Sequence, residues 1–183
     1  MQPTTHNTNT TNTSVFNGGF TFVETLVAIS VLLVAVAGPL FLASQGLRAA
    51  RIARDQISAN YLAQEAVEYV RFRRDNNALQ GNTWLTGLSL CTTGCTIDIY
   101  TNDIAACPVG TECPVLFQED TGKYGYGSGA GSEEEWIETK FTRWILIDEA
   151  VANQEAQLEV TISWQDGAIE RQYTITETLM NWQ

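Results

Sequence analysis

Residues 20–47 read FTFVETLVAISVLLVAVAGPLFLASQGL, and this stretch decides how the rest of the chain is organised. It contains one charged side chain, Glu24, and residues 25–47 contain none. A helix of about 20 apolar residues crosses the hydrocarbon core of a bilayer, so the stretch is long enough to span a membrane. Gly38-Pro39 predicts a kink or local unwinding, because proline removes a backbone donor and clashes with the preceding turn.

Two other interpretations of residues 20–47 compete with a membrane helix. A buried core helix is disfavoured, because a domain of this size rarely encloses a helix that is apolar on every side. A secretory signal peptide needs a basic region before a short apolar stretch and small residues after it. Residues 1–19, MQPTTHNTNTTNTSVFNGG, carry no Lys or Arg, and Gly18-Gly19 stands before the apolar run. Cleavage there would leave the apolar helix on the mature chain.

Residues 18–28, GGFTFVETLVA, carry the pattern of a specific processing site. Phe20 follows Gly19, a glutamate stands fifth when Phe20 is counted as first, and an apolar helix comes next. This pattern resembles the N-terminal motif of type IV pilins and type II secretion pseudopilins. The resemblance is specific over residues 18–47 and weaker, but continuous, through residue 75.

The resemblance assigns roles to three residues. It implies that a membrane prepilin peptidase cuts between Gly19 and Phe20 and that the new Phe20 amine is methylated. It also implies that Glu24 acts in filament assembly. A carboxylate in the first turn of a membrane helix is costly unless it is paired, and the amine of the same or a neighbouring subunit would pair with it. The alternative is an unpartnered Glu24 at the level of the lipid headgroups.

Residues 48–75 predict a second half of the same helix. No Gly or Pro occurs in residues 47–80, so the helix is expected to continue to about residue 74. At 1.5 Å per residue, residues 20–74 would span roughly 80 Å. Small and apolar side chains recur at three- and four-residue spacings, which predicts one apolar face. They are Ala59, Leu62, Ala63, Ala66 and Val70.

The charge distribution excludes several classes of function. The 183 residues carry a formal net charge of −11, and residues 76–183 alone carry −12. General nucleic-acid binding is therefore not expected, since it needs a basic face. His6 is the only histidine, which excludes metal centres and proteases built on several histidines. Asp148 and Glu149 would point to opposite faces of a strand, so we expect no enzyme.

The four cysteines lie in a loop-rich region. An even number of cysteines outside the cytoplasm favours two disulfides. We expect the local pairs Cys91–Cys95 and Cys107–Cys113, with all three connectivities open. A zinc site would prefer Cys-x2-Cys knuckles, and a redox-active pair would prefer Cys-x-x-Cys. Both are therefore disfavoured.

An acidic run could in principle hold calcium. Asp120 and the three glutamates 133–135 flank the glycine-rich residues 122–131, and some pseudopilins hold calcium in a loop of this domain. The spacing matches no defined calcium loop, so a solvated acidic run is favoured and no cofactor is expected.

The C-terminal third predicts antiparallel strands. Residues 97–100, 115–118 and 141–148 are strand-like, and residues 156–164 alternate between apolar and polar side chains with a period of two. A turn at Gln165-Asp166-Gly167 leads into a second alternating segment, which predicts a hairpin. One apolar face of this sheet would cover the helix. The fold class is therefore α+β, a long spine helix packed on a small antiparallel sheet, which the resemblance also implies.

Four segments follow from these patterns. We expect a prepilin leader over residues 1–19 and a transmembrane, assembly half of the spine helix over residues 20–47. Residues 48–75 would form the extracytoplasmic half. Residues 76–183 would form a globular antiparallel-sheet domain with Cys-containing loops.

The resemblance implies a minor pilin or minor pseudopilin that assembles through its helix into a type IV pilus or a related secretion or competence filament. Its partners would be other pilins or pseudopilins, the prepilin peptidase and the filament assembly machinery. The chain would cross the bacterial inner membrane once, with its C-terminal domain outside the cytoplasm, before it joins a cell-surface filament. The alternative is a filament-tip or membrane-anchored binding module that recognises an extracytoplasmic ligand through its C-terminal domain.

Overall fold

Helix α1 spans Phe22–Leu79 in a computed structural model that describes residues 19–127 and 136–181 of the chain. It is helical through Pro39, so the unwinding expected there does not occur. One missing backbone donor is a local loss that the helical turns on both sides outweigh. The helix ends later than expected, because the first residue suited to stop it is Gly81, with a positive φ of 72° and its N–H bonded to the Ala78 carbonyl.

The chain divides into two units between Leu47 and Arg48. In the first unit, all residues from 19 to 47 are exposed. By length and composition, the helix near the N-terminus is able to cross a membrane. The expected apolar helix is therefore present, and its apolar surface is uncovered.

The described part of the second unit holds seven strands in one antiparallel sheet. In chain order they are β1 (Cys95–Asp98), β2 (Asp103–Ala106), β3 (Val115–Glu119), β4 (Tyr124–Gly125), β5 (Trp136–Val151), β6 (Glu155–Asp166) and β7 (Ile169–Met180). A short 3₁₀ helix, Ser89–Thr92, precedes β1. Strand β5 is central. It pairs with β6 along one side and with β3 and β1 along the other, while β2, β4 and β7 are the outer strands.

The core lies between one face of this sheet and the part of α1 beyond residue 55. The five helix residues predicted to form an apolar face are all buried, none more than 2% exposed. The alternate residues of β6 from Ala156 to Trp164 are buried as well, which confirms the predicted period of two. A long helix packed on an antiparallel sheet is the predicted α+β arrangement.

Polar contacts also join α1 to the sheet. Lys140 of β5 pairs with Asp55, which is 5% exposed. Arg71 pairs with Glu177 of β7, with 2.6 Å between Nη2 and Oε1. The deepest of these contacts is made by Arg143, whose side chain is fully buried. The helix is therefore held on the sheet by charged groups as well as by apolar packing.

Strands β1, β2 and β4 differ from the expectation. Strand β1 starts at Cys95 instead of residue 97 and is buried at all four positions, so it has no alternation to detect. Strand β2 was not predicted, because three of its four residues are exposed. It pairs with β1 across a turn in which Asn102 has a positive φ of 62°. Strand β4 is only two residues long.

Candidate processing and assembly segment

The start of α1 is set by a hydrogen-bonded cap at Thr21. The Glu24 N–H donates to Thr21 Oγ1 at 3.3 Å, and the Thr25 N–H donates to the Thr21 carbonyl at 3.1 Å. Threonine followed three residues later by glutamate is the sequence pattern of a capping box. Because the cap is Thr21, Gly19 and Phe20 lie before the helix, where they are exposed and accessible to another molecule.

Gly19 has no steric reason to be glycine. A Cβ atom built on it meets nothing within 4 Å, and the same is true of Gly46 within the helix. Both residues are exposed. A measured requirement for glycine at position 19 would therefore come from a molecule that binds this segment.

Glu24 is the acidic residue in the first turn of α1. A carboxylate there interacts favourably with the positive end of the helix dipole, by a few tenths to about 1 kcal/mol. Among the residues that the structure describes, no Lys or Arg forms an ion pair with it. Its side chain is thus placed at the helix start and available to a cation that comes from elsewhere.

The hydroxyl groups of the apolar stretch are satisfied inside the helix. Thr25, Ser30 and Ser44 each donate to the backbone carbonyl three residues earlier, at 2.8, 2.8 and 2.7 Å. Such bonds let a hydroxyl enter hydrocarbon without an unpaired donor. The segment therefore exposes an apolar surface, with Phe20 80% and Phe22 77% exposed. That surface suits lipid or the helices of other subunits.

Both disulfides are formed in the second unit. Cys91 bonds to Cys95 and Cys107 bonds to Cys113, which are the expected local pairs. No free cysteine remains in the part of the chain that the structure describes. The first pair is completely buried and joins the 3₁₀ helix to the start of β1, while the second closes a loop at the surface.

The calcium hypothesis concerned Asp120 and the glutamates 133–135. Asp120 is exposed in the turn after β3. The three glutamates lie outside the described residues. Across residues 19–127 and 136–181, no group of three or more acidic, cysteine or histidine side chains is placed to hold a metal ion.

A groove of about 570 Å³ lies on the sheet face opposite α1. Its floor is formed by polar residues of β5, β6 and β7, and one wall is the loop closed by the Cys107–Cys113 disulfide. Trp144 also lines the groove, and its Nε1 donates to the Cys107 carbonyl at 3.1 Å. The disulfide and this hydrogen bond fix the wall, so the groove is preformed.

Sequence reasoning missed two of these features. The Thr21 cap is visible in the sequence as Thr-x-x-Glu directly before an apolar run. The groove had no sequence pattern, because its lining comes from four separate segments. Comparison of the chain with protein-family models, with curated proteins and with solved structures gave no match. Function is therefore inferred from the residues of this chain.

Proposed function

We propose that this protein is a minor pilin-like structural subunit. In this proposal a prepilin peptidase cuts after Gly19, Phe20 becomes the methylated first residue, and the helix assembles into a type IV pilus or a related filament. Before assembly the chain would cross the inner membrane once, with the disulfide-containing unit outside the cytoplasm. The observation that carries the proposal is the spacing of Gly19, Phe20 and Glu24 at the start of an uncovered apolar helix.

Three features of the described residues support this function. The cap at Thr21 leaves the Gly19–Phe20 bond outside the helix and exposed, where a peptidase can reach it. Gly19 is not required by the fold, which fits a role in recognition. The second unit has its own core and two disulfides, which fits a domain that persists in an oxidising compartment.

Glu24 fits the assembly role electrostatically. The carboxylate stands at the end of an apolar helix without an intrachain cation among the described residues, and an unpaired carboxylate in hydrocarbon is expensive. A methylated amine on Phe20 keeps its positive charge. Pairing of Glu24 with that amine, in the same or the adjacent subunit, would remove the cost and fix the register between helices.

The test is the mature N-terminus, measured by mass spectrometry on membrane-fraction protein from cells with an active prepilin peptidase. We expect a chain that begins at N-methylated Phe20. Neither Gly19 nor Gly46 is crowded in the folded chain, so valine at either position should leave the fold intact. Gly19→Val should abolish cleavage because it changes the residue at the cut, whereas Gly46→Val should leave cleavage intact. A wild-type chain that keeps residues 1–19 in such cells would contradict the proposal and leave a single-pass membrane protein.

The groove favours a second candidate function, that of an anchored binding module. Its volume of about 570 Å³ lies within the range of ligand sites, and its wall is preformed. A ligand would bind between the 107–113 loop and the polar strand residues. Recovery of a ligand from extracytoplasmic material by the wild type, and its loss with Trp144→Ala, would support this function. Equal recovery by both proteins would contradict a ligand site in the groove.

A further inference from the structure

Strand β7 has a long free edge. Among the described residues it pairs with β6 alone. The other outer strands, β2 and β4, are four and two residues long, whereas β7 has twelve. Proteins protect sheet edges with short strands, bulges, proline and charged side chains, lysine above all. Strand β7 is long and has no bulge, proline or lysine, and its charged side chains at the edge include one of each sign on the face towards α1, Arg171 and Glu177. Its free edge is therefore available to pair with another strand.

The backbone N–H and C=O groups of successive β7 residues point alternately towards β6 and towards the free edge. The two-residue turn after Asp166 makes Asp166 and Ile169 a hydrogen-bonded pair. At the far end, the Asn181 N–H donates to the Gln154 carbonyl at 2.9 Å. Hydrogen bonding alternates along an antiparallel strand. Odd-numbered residues of β7 therefore bond to β6, and even-numbered residues direct their N–H and C=O groups outward.

We propose that β7 pairs with β7 of a second copy of this chain, antiparallel and centred on Thr174. Thr174 then faces its own equivalent, and the outward N–H and C=O groups of even-numbered residues bond across the interface. Arg171 of each copy faces Glu177 of the other. Tyr173 of each copy faces Ile175 of the other. The contact is a two-fold extension of the sheet and does not depend on the function proposed above.

The charges of β7 select this register. Centring the pair on Tyr173 would place Arg171 opposite Ile175, and centring it on Ile175 would place Tyr173 opposite Glu177. The register centred on Thr174 places opposite charges together on both sides of the two-fold axis. It also aligns residues 169–179 of the two copies, so nearly the whole strand is used.

The side chains that would meet are suited to the contact. Odd-numbered residues form the non-hydrogen-bonded pairs at the new interface, where facing side chains come closest. The side chains of Arg171 and Glu177 are 30% and 22% exposed. Glu177 already accepts from Arg71 of its own chain through Oε1, and a carboxylate has further lone pairs that can accept from a second guanidinium. Arg171 uses Nε to bond Asp166 at 3.1 Å, and a guanidinium has four further N–H donors. Tyr173 and Ile175 are partly buried at the border of the core, so a second copy would complete their cover.

The two-fold geometry limits the assembly to a dimer. Each copy offers its β7 edge to the other, and both long edges are consumed in one contact. The same pairing therefore removes the exposed strand that would otherwise favour uncontrolled edge-to-edge association.

The test uses the full chain purified in detergent, with the mass of the protein component measured over a range of concentrations. We expect a monomer–dimer equilibrium. Thr174→Cys should form an intermolecular disulfide on mild oxidation, because the new thiols face each other and the native thiols are all bonded. Thr178→Cys is the matched control, since it is also exposed but would face Glu170.

Two further variants test the backbone and the charges separately. Thr174→Pro removes an outward N–H that β6 does not use, so it should abolish the dimer while β7 stays in its own sheet. Arg171→Glu places like charges together twice and should weaken dimerisation by roughly tenfold or more, whereas Arg171→Lys should retain it.

Three results would overturn the proposal. The first is a chain that stays monomeric at every concentration. The second is equal cross-linking of Thr174→Cys and Thr178→Cys. The third is an oligomer that survives both Thr174→Pro and Arg171→Glu, which would assign self-association to residues 20–47. If Thr174→Pro fails to fold, the cysteine and Arg171 variants still decide the question.

Discussion

Arg143 reaches from the middle of the sheet to Glu65 on α1, with 3.0 Å between Nη1 and Oε2. The arginine side chain is fully buried, while that of Glu65 is 39% exposed. The guanidinium also donates to the backbone carbonyls of Ile97, at 2.6 Å, and Leu62, at 3.4 Å. One side chain thereby joins β5 to the helix and to β1.

The asymmetry of this pair predicts an asymmetric response to mutation. Glu65→Ala leaves a buried cation with only its two backbone carbonyl partners and should cost roughly 1 to 3 kcal/mol of unfolding free energy. Arg143→Met keeps most of the buried volume and leaves a carboxylate that water can reach, so we expect a smaller loss.

The double variant Glu65→Ala/Arg143→Met completes the cycle. It should be more stable than Glu65→Ala alone, because the uncompensated charge is gone. Chemical denaturation of the four proteins measures this. Additive losses would mean that the two side chains are not coupled.

Sequence patterns predicted the parts of the fold where apolar side chains recur at a regular spacing. The helix face formed by residues 59–70 and the alternating residues of β6 are such cases. Residues 20–47 were recognised by their continuous apolar composition instead. The Arg143 contact could not be predicted, because arginine is normally exposed and Glu65 is 78 residues away in the sequence. Strand β2 was missed because a short exposed strand has no buried face, and its pairing with β1 rests on backbone bonds.

The residues of the candidate site could be predicted from the sequence, but their steric and hydrogen-bonding surroundings could not. Gly19, Phe20 and Glu24 are defined by spacing alone. That Gly19 is sterically free and that Thr21 caps the helix depend on three-dimensional geometry. The groove beside Trp144 was beyond prediction, since it is built from residues that are distant in sequence.

Glu24 provides the sharpest test of assembly. Glu24→Gln removes the charge at nearly constant size and should strongly reduce the fraction of protein found in filaments, while cleavage after Gly19 continues. Glu24→Asp keeps the charge and should be affected less. The readout is the amount of mature protein in the sheared filament fraction relative to the membrane fraction. Normal filament levels with Glu24→Gln would contradict the assembly role.

The two disulfides should differ in stability and in reactivity. Closing loops this short contributes roughly 2 kcal/mol each by chain entropy. Replacing Cys91 and Cys95 by alanine should cost more than replacing Cys107 and Cys113, because the first pair is fully buried and its loss also leaves a cavity.

The order in which the two disulfides are reduced should follow their exposure to solvent. Cys113 is partly exposed, so the Cys107–Cys113 bond should be reduced first under mild reductant. Alkylation followed by peptide mass spectrometry identifies the bond that opens. Simultaneous opening of both bonds would show that reduction proceeds through global unfolding.

Gly94 should tolerate no side chain. It has a φ of 110°, and an added Cβ would lie within 3.0 Å of the Cys107 carbonyl oxygen and Trp144 Nε1. Gly94→Ala should therefore cost about 3 kcal/mol or more. Gly110, with a φ of 85° and no atom within 4 Å of an added Cβ, is the matched control. Its alanine variant should lose only about 1 kcal/mol, from backbone strain alone. Similar losses in thermal or chemical denaturation would show that crowding is unimportant.

Tyr126 should make the second unit sensitive to alkali. Burial raises the pKa of its hydroxyl above the ordinary value of 10.0, because the ionised form loses solvation. The folded state therefore holds this proton more tightly than the unfolded state. The resulting stability is complete below about pH 10 and is lost as the pH rises through the folded-state pKa.

Tyr126→Phe should flatten this alkaline loss of stability. Burial also raises the pKa of Tyr69 and Tyr124, so part of the slope should remain. Tyr61, which is 66% exposed, provides the control, and Tyr61→Phe should match the wild type. Denaturant midpoints measured from about pH 8 to about pH 11, on both sides of the ordinary tyrosine pKa, report how steeply stability falls with pH. Parallel curves for wild type and Tyr126→Phe would refute the assignment.

The hydroxyl groups of Thr25, Ser30 and Ser44 keep their hydrogen-bond acceptors when the helix moves, because each acceptor is a carbonyl of the same helix. A transfer of the segment from one apolar medium to another breaks none of these hydrogen bonds. The helix can thus change its surroundings in either direction with little penalty from its polar atoms. The free energy of moving the helix from lipid to a protein surface, or back, therefore depends on side-chain packing and on the single charge at Glu24.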